Sequence, residues 1–399
     1  MEGAAATVST LRPRLKPRAG LVLTGGGARA AYQVGVVKAV RDVLGNPKKN
    51  PFPILCGTSA GAINAATLAV FADDFSRAVA NLLEVWEHMH CHHIYRTDAW
   101  HIMKSGAKWL SALMLIRREA PISLLDNTPL AQMLERTLPF ERIQQNIDSG
   151  ELYAACVTAS GYTSGQSVSF FQGGSGLEGW ERNQRIGAAV SLKLEYLLAS
   201  ASLPFIFPAV KVHREYFGDG SMRQIAPVSP ALHLGADRVL IVGTGRQSSG
   251  LSADQSRMRS NVYPSLAQIA GHALNSIFLD SLMVDIERLE RINRTVKLIP
   301  PERLGDSGLQ LRPVKVLFIT PSQPLERIAA RFLHELPATV RFILRPTGAL
   351  NRSGSNLASY LLFEESFCRA LIDLGYQDTI SREAEVREFF NPPEERAYA

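Results

Sequence analysis

Two short apolar segments early in the chain are each followed by a glycine-rich turn and then by a segment with helical spacing. The first, residues 21–24, precedes Gly25-Gly26-Gly27, and the second, residues 54–56, precedes a turn and an apolar segment over 62–71. After the first turn, apolar side chains recur about once per helical turn: Tyr32, Val36, Val40, Val43 and Leu44. Because strand, turn and helix alternate, the pattern predicts an α/β fold with a mostly parallel sheet.

The downstream pattern predicts further strands and then a helical end. Two β-rich runs, at 152–159 and 166–171, flank a polar turn at 160–165 and predict a hairpin. Other strands are predicted at 215–218, 238–242, 296–299 and 314–320, and helices at 266–294 and 325–336. Since strands continue to residue 320 and the remainder is mainly helical, we expect one main domain over 20–320 and a helical C-terminal extension over 321–399.

Composition places the chain among globular proteins. Of its 399 residues, 46% are hydrophobic and 20% are charged, which excludes a disordered or low-complexity chain. The longest uncharged run, 51–72, contains glycines and polar residues, so we interpret it as a buried strand, turn and helix rather than a membrane span. Four scattered cysteines and an N-terminus without a secretory pattern favour a soluble protein in the cytoplasm.

A basic N-terminal segment carries half of the excess charge. The formal net charge is +6, and residues 1–19 contribute four bases against Glu2: Arg12, Arg14, Lys16 and Arg18. We expect a solvated, disordered tail, and the alternative is peripheral contact with an anionic lipid surface. No nucleic-acid partner is expected.

Gly57-Thr58-Ser59-Ala60-Gly61 matches G-x-S-x-G at a strand-to-helix junction. In such a nucleophile elbow, small flanking residues permit a sharp turn that presents the serine hydroxyl. The N-terminus of the following helix also favours negative charge near Ser59. The motif therefore predicts Ser59 as a nucleophile, with Gly57 and Gly61 required by the turn.

The glycine loop before the first helix has two interpretations. Backbone N–H groups of Gly25, Gly26, Gly27 and Ala28 lie ahead of a helix with little side-chain cover, so the loop can hold an anion. A dinucleotide-binding G-x-G-x-x-G loop would need a sixth glycine where Ala30 stands, and no ribose-binding acid follows a second strand. An oxyanion hole agrees better with an elbow serine on the neighbouring strand.

A base for the serine is suggested by Asp219, in Phe217-Gly218-Asp219-Gly220-Ser221 at the end of a predicted strand. A serine hydroxyl is a poor nucleophile without a base within hydrogen-bonding reach, and the flanking glycines leave this carboxylate accessible. The alternative is an ordinary turn aspartate, because Asp-Gly is a common turn pair. Local sequence leaves both interpretations open.

The motifs together resemble those of the patatin-like phospholipases. Thr24-Gly25-Gly26-Gly27-Ala28-Arg29, the elbow and Asp219-Gly220 stand in that family's order, and residues 199–208 are similar to its stretch before the aspartate. The resemblance covers about residues 20–242 and implies a three-layer αβα sandwich. It also implies a lipid acyl hydrolase that acts on phospholipid or other fatty-acyl esters without a cofactor.

By this resemblance the reaction uses a Ser–Asp dyad and no histidine. Ser59 would be the nucleophile and Asp219 the base. The backbone of residues 25–28 would form the oxyanion hole, and the positive charge of Arg29 would assist it. Two positions depart from the family pattern: Ala30 replaces a usual glycine, and Ser221 follows Gly220 where alanine or glycine is usual. Both residues are small, so we expect the backbone geometry to be the same. Any effect of these two departures should be on the rate or the specificity of the reaction.

A histidine-rich cluster at 84–93 is the most conspicuous other feature. If the helix predicted from Ser76 continued, Glu84, His88, Cys91 and His92 would share one face and could hold a transition metal. The spacing matches no familiar metal site, so we expect no metal and interpret the cluster as a polar helix end near the pocket.

Three other functions remain as alternatives. A Ser–Asp–His hydrolase would need a histidine such as His334, which follows Asp219 in the order of α/β-hydrolases. An acyltransferase or thioesterase acting on carrier-bound acyl groups would share the G-x-S-x-G elbow, and a lipid-binding regulatory module would need no chemistry. The apolar segment 100–116, with bases around it, is expected to pack in the core or to form a cap at a lipid interface.

Overall fold

Strands and helices alternate along the chain, as the hydrophobic pattern predicts. The computed structural model describes residues 18–98, 100, 123–245, 263–300, 303, 311–351 and 354–391, so the tail through residue 17 and most of the apolar segment 100–116 lie outside the described residues. The strands are β1 (Ala19–Leu23), β2 (Ile54–Thr58), β3 (Ala154–Gly161), β4 (Ser167–Gly173), β5 (Trp180–Arg182), β6 (Arg185–Ala189), β7 (Val210–Val212), β8 (Glu215–Asp219), β9 (Arg238–Val242) and β10 (Lys315–Ile319). The helices are α1 (Ala31–Val43), α2 (Ala60–Val70), α3 (Phe75–Glu87), α4 (Cys91–Ile94), α5 (Thr128–Thr137), α6 (Glu141–Asp148), α7 (Leu194–Ser200), α8 (Ser229–His233), α9 (Leu266–Asn275), α10 (Ser281–Lys297), α11 (Leu325–Phe332), α12 (Ala338–Leu344), α13 (Ser355–Ser359), α14 (Glu365–Ile380) and α15 (Glu383–Phe390).

The strands of the described residues form one mixed sheet. Its order is β10-β9-β1-β2-β3-β4-β6-β5, and β8 pairs with β3 and with β7. From β10 to β3 every neighbouring pair is parallel, whereas β4 and β8 run antiparallel to β3. Because β1 and β2 are parallel, the loops after Leu23 and Thr58 leave the sheet at the same edge, where ligands bind in open α/β sheets.

Helices cover both faces of the sheet. Alternate strand residues point to opposite faces. Leu21, Leu23 and Leu55 belong to a core with residues of α1, α2, α3 and α14, whereas Val22 and Ile54 belong to a second core with α8 and α10. These two cores make the three-layer αβα arrangement that the sequence analysis predicts.

The C-terminal helices pack directly on the motif-bearing part of the chain. Helix α14 lies so close to α1 that a Cβ atom at Gly35 would collide with the Ile372 carbonyl, and one at Gly375 with the Tyr32 carbonyl. The Tyr32 hydroxyl also donates a hydrogen bond to Asp378 at 3.0 Å. The segment between α13 and α14 is thereby held near the end of β1.

One strand prediction is wrong. Residues 296–299 were expected to form a strand, but Val296 lies in the last turn of α10. Leu282, Ile286 and Leu289 are buried with Val296, so the packing of one helical face outweighs the local β propensity of Val296.

Among the described helices, none combines the length and the apolar character that a bilayer-spanning helix requires.

Candidate active site

Ser59 occupies a sharp turn between β2 and α2. Its backbone has φ 56° and ψ −131°, a conformation that side-chain-bearing residues adopt only at an energetic cost. A Cβ atom at Gly57 would collide with the Gly61 carbonyl, and one at Gly61 would collide with the Leu23 and Thr24 carbonyls. The turn therefore requires glycine at both flanking positions and has the geometry of a nucleophile elbow.

A second serine holds the elbow in place. The Ser59 backbone N–H donates a hydrogen bond to Ser200 Oγ at 2.8 Å, and the Ser200 hydroxyl donates to the Thr158 carbonyl at 2.6 Å. The Ser59 amide is thus engaged and is not free to bind a ligand. Ser200 lies in the family-like stretch 199–208, but no local pattern in the sequence shows that it contacts a residue 141 positions away.

Asp219 ends β8 beside the elbow. It pairs with Ala159 in the antiparallel register of β3 and β8, and its backbone N–H donates to the Ser202 carbonyl at 2.9 Å. The side chain is completely buried. Oδ1 accepts a hydrogen bond from the Ser221 backbone N–H at 2.9 Å, and Oδ2 has no well-aligned partner among the described residues.

Burial determines the protonation behaviour of this carboxyl. Removal from water raises the pKa of Asp219 to about 6, and hydrogen bonding by Ser59 and by Ser221 acts in the opposite direction. A Cβ atom at Gly220 would collide with the Thr158 carbonyl, so only glycine fits after the aspartate. The structure thus brings Asp219 and Ser59 together, as the motif order implies.

The glycine loop lies next to the elbow. The Thr244 hydroxyl donates to the Gly25 carbonyl at 2.6 Å, and a Cβ atom at Gly26 would be in contact with the Thr244 side chain at 2.5–2.9 Å. The Ala28 N–H donates to the Tyr360 carbonyl at 3.0 Å, and the N–H of residue 29 donates to the Gly26 carbonyl at 3.1 Å. Among the described residues, the amides of residues 25–27 have no acceptor.

The side chain of Arg29 turns toward the C-terminal region. It is buried, and its guanidinium donates to Ser359 Oγ at 2.8 Å, to Asn275 Oδ1 and the Tyr360 hydroxyl at 3.2 Å each, and to Asn356. It also stacks over the Tyr360 ring, with 4.0 Å between Cζ and the ring centroid. Arg29 therefore links the glycine loop to the segment that precedes α14.

The histidine-rich cluster does not lie on one helix. Helix α3 ends at Glu87 and α4 begins at Cys91, so the single face expected for Glu84, His88, Cys91 and His92 does not form. The described residues include no group of three or more side chains placed to hold a metal ion. His90 Nδ1 instead lies 2.8 Å from Glu364 Oε2. The cluster therefore contacts the same C-terminal segment as Arg29.

The described histidines lie apart from the serine and the aspartate. None of them forms a hydrogen bond with Ser59 or Asp219, and the side chain of His334 is 72% exposed beside Glu335. Within the described part of the chain, the arrangement offers a carboxyl rather than an imidazole to Ser59.

An apolar cavity opens beside Ser59, and its empty space, including the part that is open to solvent, is about 660 Å³. The wall includes Ser59 and Gly27 together with apolar side chains from several elements: Ala60, Ile63, Val85, Trp86, Met89, Ile94, Leu130, Met133, Ala201, Leu203, Phe207, Tyr360, Leu361 and Phe363. The wall beside Ser59 is therefore mostly apolar, which suits an apolar group better than a charged one.

Comparison with known proteins identifies the family. The family model described as patatin-like phospholipase matches residues 21–232. The chain belongs to the patatin-like phospholipase family. Over 50 residues it is 46% identical to the cUMP-AMP-activated phospholipase of Escherichia coli, a match that covers 12% of this chain and 16% of that relative. The patatin-like phospholipase match ends well before the C-terminal segment that contacts Arg29.

The chain resembles two solved structures at low sequence identity and low TM-score. Human GIVD cytosolic phospholipase A2, in complex with methyl gamma-linolenyl fluorophosphonate and terbium chloride, matches with a TM-score of 0.41 and 13% identity, over 94% of this chain and 59% of that one. VipD from Legionella pneumophila matches with a TM-score of 0.32 and 13% identity, over 87% of this chain and 67% of that one.

Proposed function

We propose that this patatin-like chain hydrolyses fatty-acyl esters of lipids, phospholipids and lysophospholipids among them, through Ser59 and Asp219. One observation carries the proposal: a buried carboxyl lies beside a serine on a strained elbow, in the wall of an apolar cavity. The family supplies the general class, a lipid hydrolase. Peripheral contact with a lipid surface and a cytoplasmic location are part of the same proposal.

The first half-reaction transfers the acyl group to the enzyme. As Ser59 Oγ attacks the ester carbonyl carbon, Asp219 takes the hydroxyl proton, and the carbonyl oxygen becomes an oxyanion. The backbone amides of residues 25–27, which lack other acceptors among the described residues, are proposed to bind that oxyanion. Collapse of the intermediate breaks the C–O bond, and the leaving alkoxide takes the proton from Asp219.

The second half-reaction releases the fatty acid. Water attacks the acyl carbon while Asp219 accepts a proton from it, and Ser59 Oγ recovers the proton as the acyl bond breaks. An aspartate is a weaker base than imidazole, but burial raises the pKa of Asp219 to about 6, which brings it nearer to a neutral working pH. An ester suits this base better than an amide, because an alkoxide leaves more easily than an amine anion.

A fluorophosphonate probe with peptide mapping tests the proposal directly. We expect one adduct, on Ser59, and loss of both labelling and ester hydrolysis in Ser59→Ala. Mass spectrometry over a mixed lipid panel, with Ser59→Ala as the control, then identifies the products: free fatty acid supports hydrolysis, whereas acyl transfer to another molecule supports the acyltransferase alternative. An adduct elsewhere, or full hydrolysis by Ser59→Ala, contradicts the proposal.

Dialysis against EDTA provides a second control. The proposed groups are all protein groups, so we expect turnover of a soluble ester to be unchanged. A lasting loss that one particular ion restores would instead implicate the histidine-rich cluster.

A further inference from the structure

Residues 360–364, called the strap here, lie outside the family match at 21–232, and three of them line the pocket: Tyr360, Leu361 and Phe363. At one end the Tyr360 carbonyl accepts the Ala28 N–H at 3.0 Å. In the middle the Leu361 carbonyl accepts the Tyr95 hydroxyl at 2.8 Å, and at the other end the Glu364 carboxylate binds His90. The strap is therefore fixed along its length.

Within the strap, Phe363 packs against two aromatic rings. It stacks with Trp86 at 6.3 Å between ring centroids and an interplanar angle of 29°, and it meets Tyr95 edge-on at 6.4 Å and 74°. Phe363 is 6% exposed and Trp86 is 4% exposed. Both rings are thus largely shielded from water.

Trp86 is held by a chain of buried amides. Its indole N–H donates to Asn64 Oδ1 at 2.8 Å, Asn64 Nδ2 lies 3.0 Å from Gln33 Oε1, and Gln33 Nε2 donates to the Thr24 carbonyl at 2.7 Å. A ring tied in this way cannot move without leaving buried polar groups unpaired. Of the stacked pair, Phe363 is therefore the ring that can be substituted without breaking these hydrogen bonds.

Ser59, Trp86 and Phe363 all line the same cavity. Asn64, which anchors Trp86, is five residues after Ser59 on α2, so at the rise of an α-helix it lies roughly 7 Å along the helix axis from the elbow. Ile63, one helical turn after Ser59, also lines the cavity. An acyl chain bound with its carbonyl at Ser59 would therefore share the cavity with the side chains of Ile63, Trp86 and Phe363.

We propose that Phe363 is a specificity-determining residue: its ring, stacked on Trp86 in the cavity wall, restricts the space for the substrate and so limits the length of the fatty-acyl chain. The proposal rests on the proposed hydrolysis of fatty-acyl esters. It assigns the choice of chain length to a residue of the C-terminal region rather than to the matched domain.

The test compares chain-length profiles. Full-length protein and the variants Phe363→Ala, Phe363→Leu and Phe363→Trp are assayed with the p-nitrophenyl esters of butyrate, octanoate and palmitate. We expect the kcat/KM ratio of palmitate to butyrate to rise roughly tenfold in Phe363→Ala, the scale that a few methylene contacts provide, and to rise less in Phe363→Leu. Phe363→Trp should lower the ratio.

Two controls keep the outcomes distinct. Phe389 is fully buried in α15 and does not line the cavity, so Phe389→Leu should leave the profile unchanged, and thermal unfolding reports whether each variant is folded. Unchanged ratios in folded Phe363 variants, or an equal change in Phe389→Leu, would overturn the specificity proposal. If Ser59→Ala still hydrolyses the butyrate ester, the proposed function itself fails, whatever the profile.

Discussion

The Tyr360 carbonyl accepts a hydrogen bond from the Ala28 backbone N–H at 3.0 Å, which joins the strap to the glycine loop. Next to this bond, a Cβ atom at Gly27 would collide with the same carbonyl. The last amide of the loop is thus satisfied from a distant part of the chain. The amides of residues 25–27 are therefore the donors that we assign to the oxyanion.

The pH dependence of hydrolysis should report Asp219. A general base must be ionised, and burial raises the pKa of this carboxyl to about 6, so kcat/KM for a soluble ester should rise with pH through about 6 and level off above it. A pH profile on the free enzyme checks this. A profile with its midpoint near the ordinary carboxyl pKa would indicate that Asp219 is not the titrating base.

Asp219→Asn should remove most activity and change the pH dependence of stability. Loss of a general base costs on the order of a thousandfold in kcat. Because the folded pKa lies above the unfolded one, the stability that the protonated carboxyl contributes is complete at low pH and is lost as pH rises through about 6. As pH rises through about 6, the free energy of unfolding of Asp219→Asn should therefore increase relative to that of the native chain, by up to about 3 kcal/mol.

Urea unfolding at several pH values measures this difference. His334→Asn is the control, because the side chain is 72% exposed and should affect neither activity nor the pH dependence of stability. Near-complete loss of activity in folded His334→Asn would favour a histidine-dependent hydrolase. If the difference in stability between Asp219→Asn and the native chain does not change with pH, burial does not raise the pKa of Asp219.

Gly27→Ala should reduce hydrolysis strongly. Gly27 has φ 55° and its added methyl group would meet the Tyr360 carbonyl, so the loop or the strap must shift and the proposed oxyanion donors move with it. Losing one such donor typically costs about a hundredfold to a thousandfold in kcat. Gly150→Ala is the matched control, because Gly150 also has a positive φ, 80°, but faces open space. If both variants lose activity equally, backbone strain rather than the collision is responsible.

Ser200→Ala should lower kcat by displacing the elbow. The substitution leaves the Ser59 N–H and the Thr158 carbonyl without their shared partner, which costs about 1–3 kcal/mol for each buried group left unpaired. Thr379→Val removes another buried hydroxyl, on α14, without touching the elbow and serves as the control. Labelling by a fluorophosphonate should slow in Ser200→Ala alone. Equal labelling rates in both variants would show that Ser200 does not position Ser59.

Local sequence was sufficient where the backbone itself imposes the residue. Gly57 and Gly61 flank a turn in which any side chain would meet a carbonyl, and Gly220 follows Asp219 for the same reason. The short continuous apolar runs of β1 and β2 likewise predicted strands, and the residues of both strands are buried throughout. The same kind of local pattern was misleading at 296–299, because burial along α10 depends on what packs against the helix.

The sequence by itself determined the α/β fold, the family and the residues of the elbow and glycine loop, because each depends on short-range periodicity or on conformations that only glycine adopts. The burial of Asp219 against β3, on which its proposed role as a base depends, is not encoded in local sequence. Tertiary structure alone brought Ser200 to the elbow, tied Arg29 to the C-terminal region and placed Phe363 in the pocket wall. These contacts join residues far apart in the chain, and a contact of that kind leaves no periodic pattern in a single sequence.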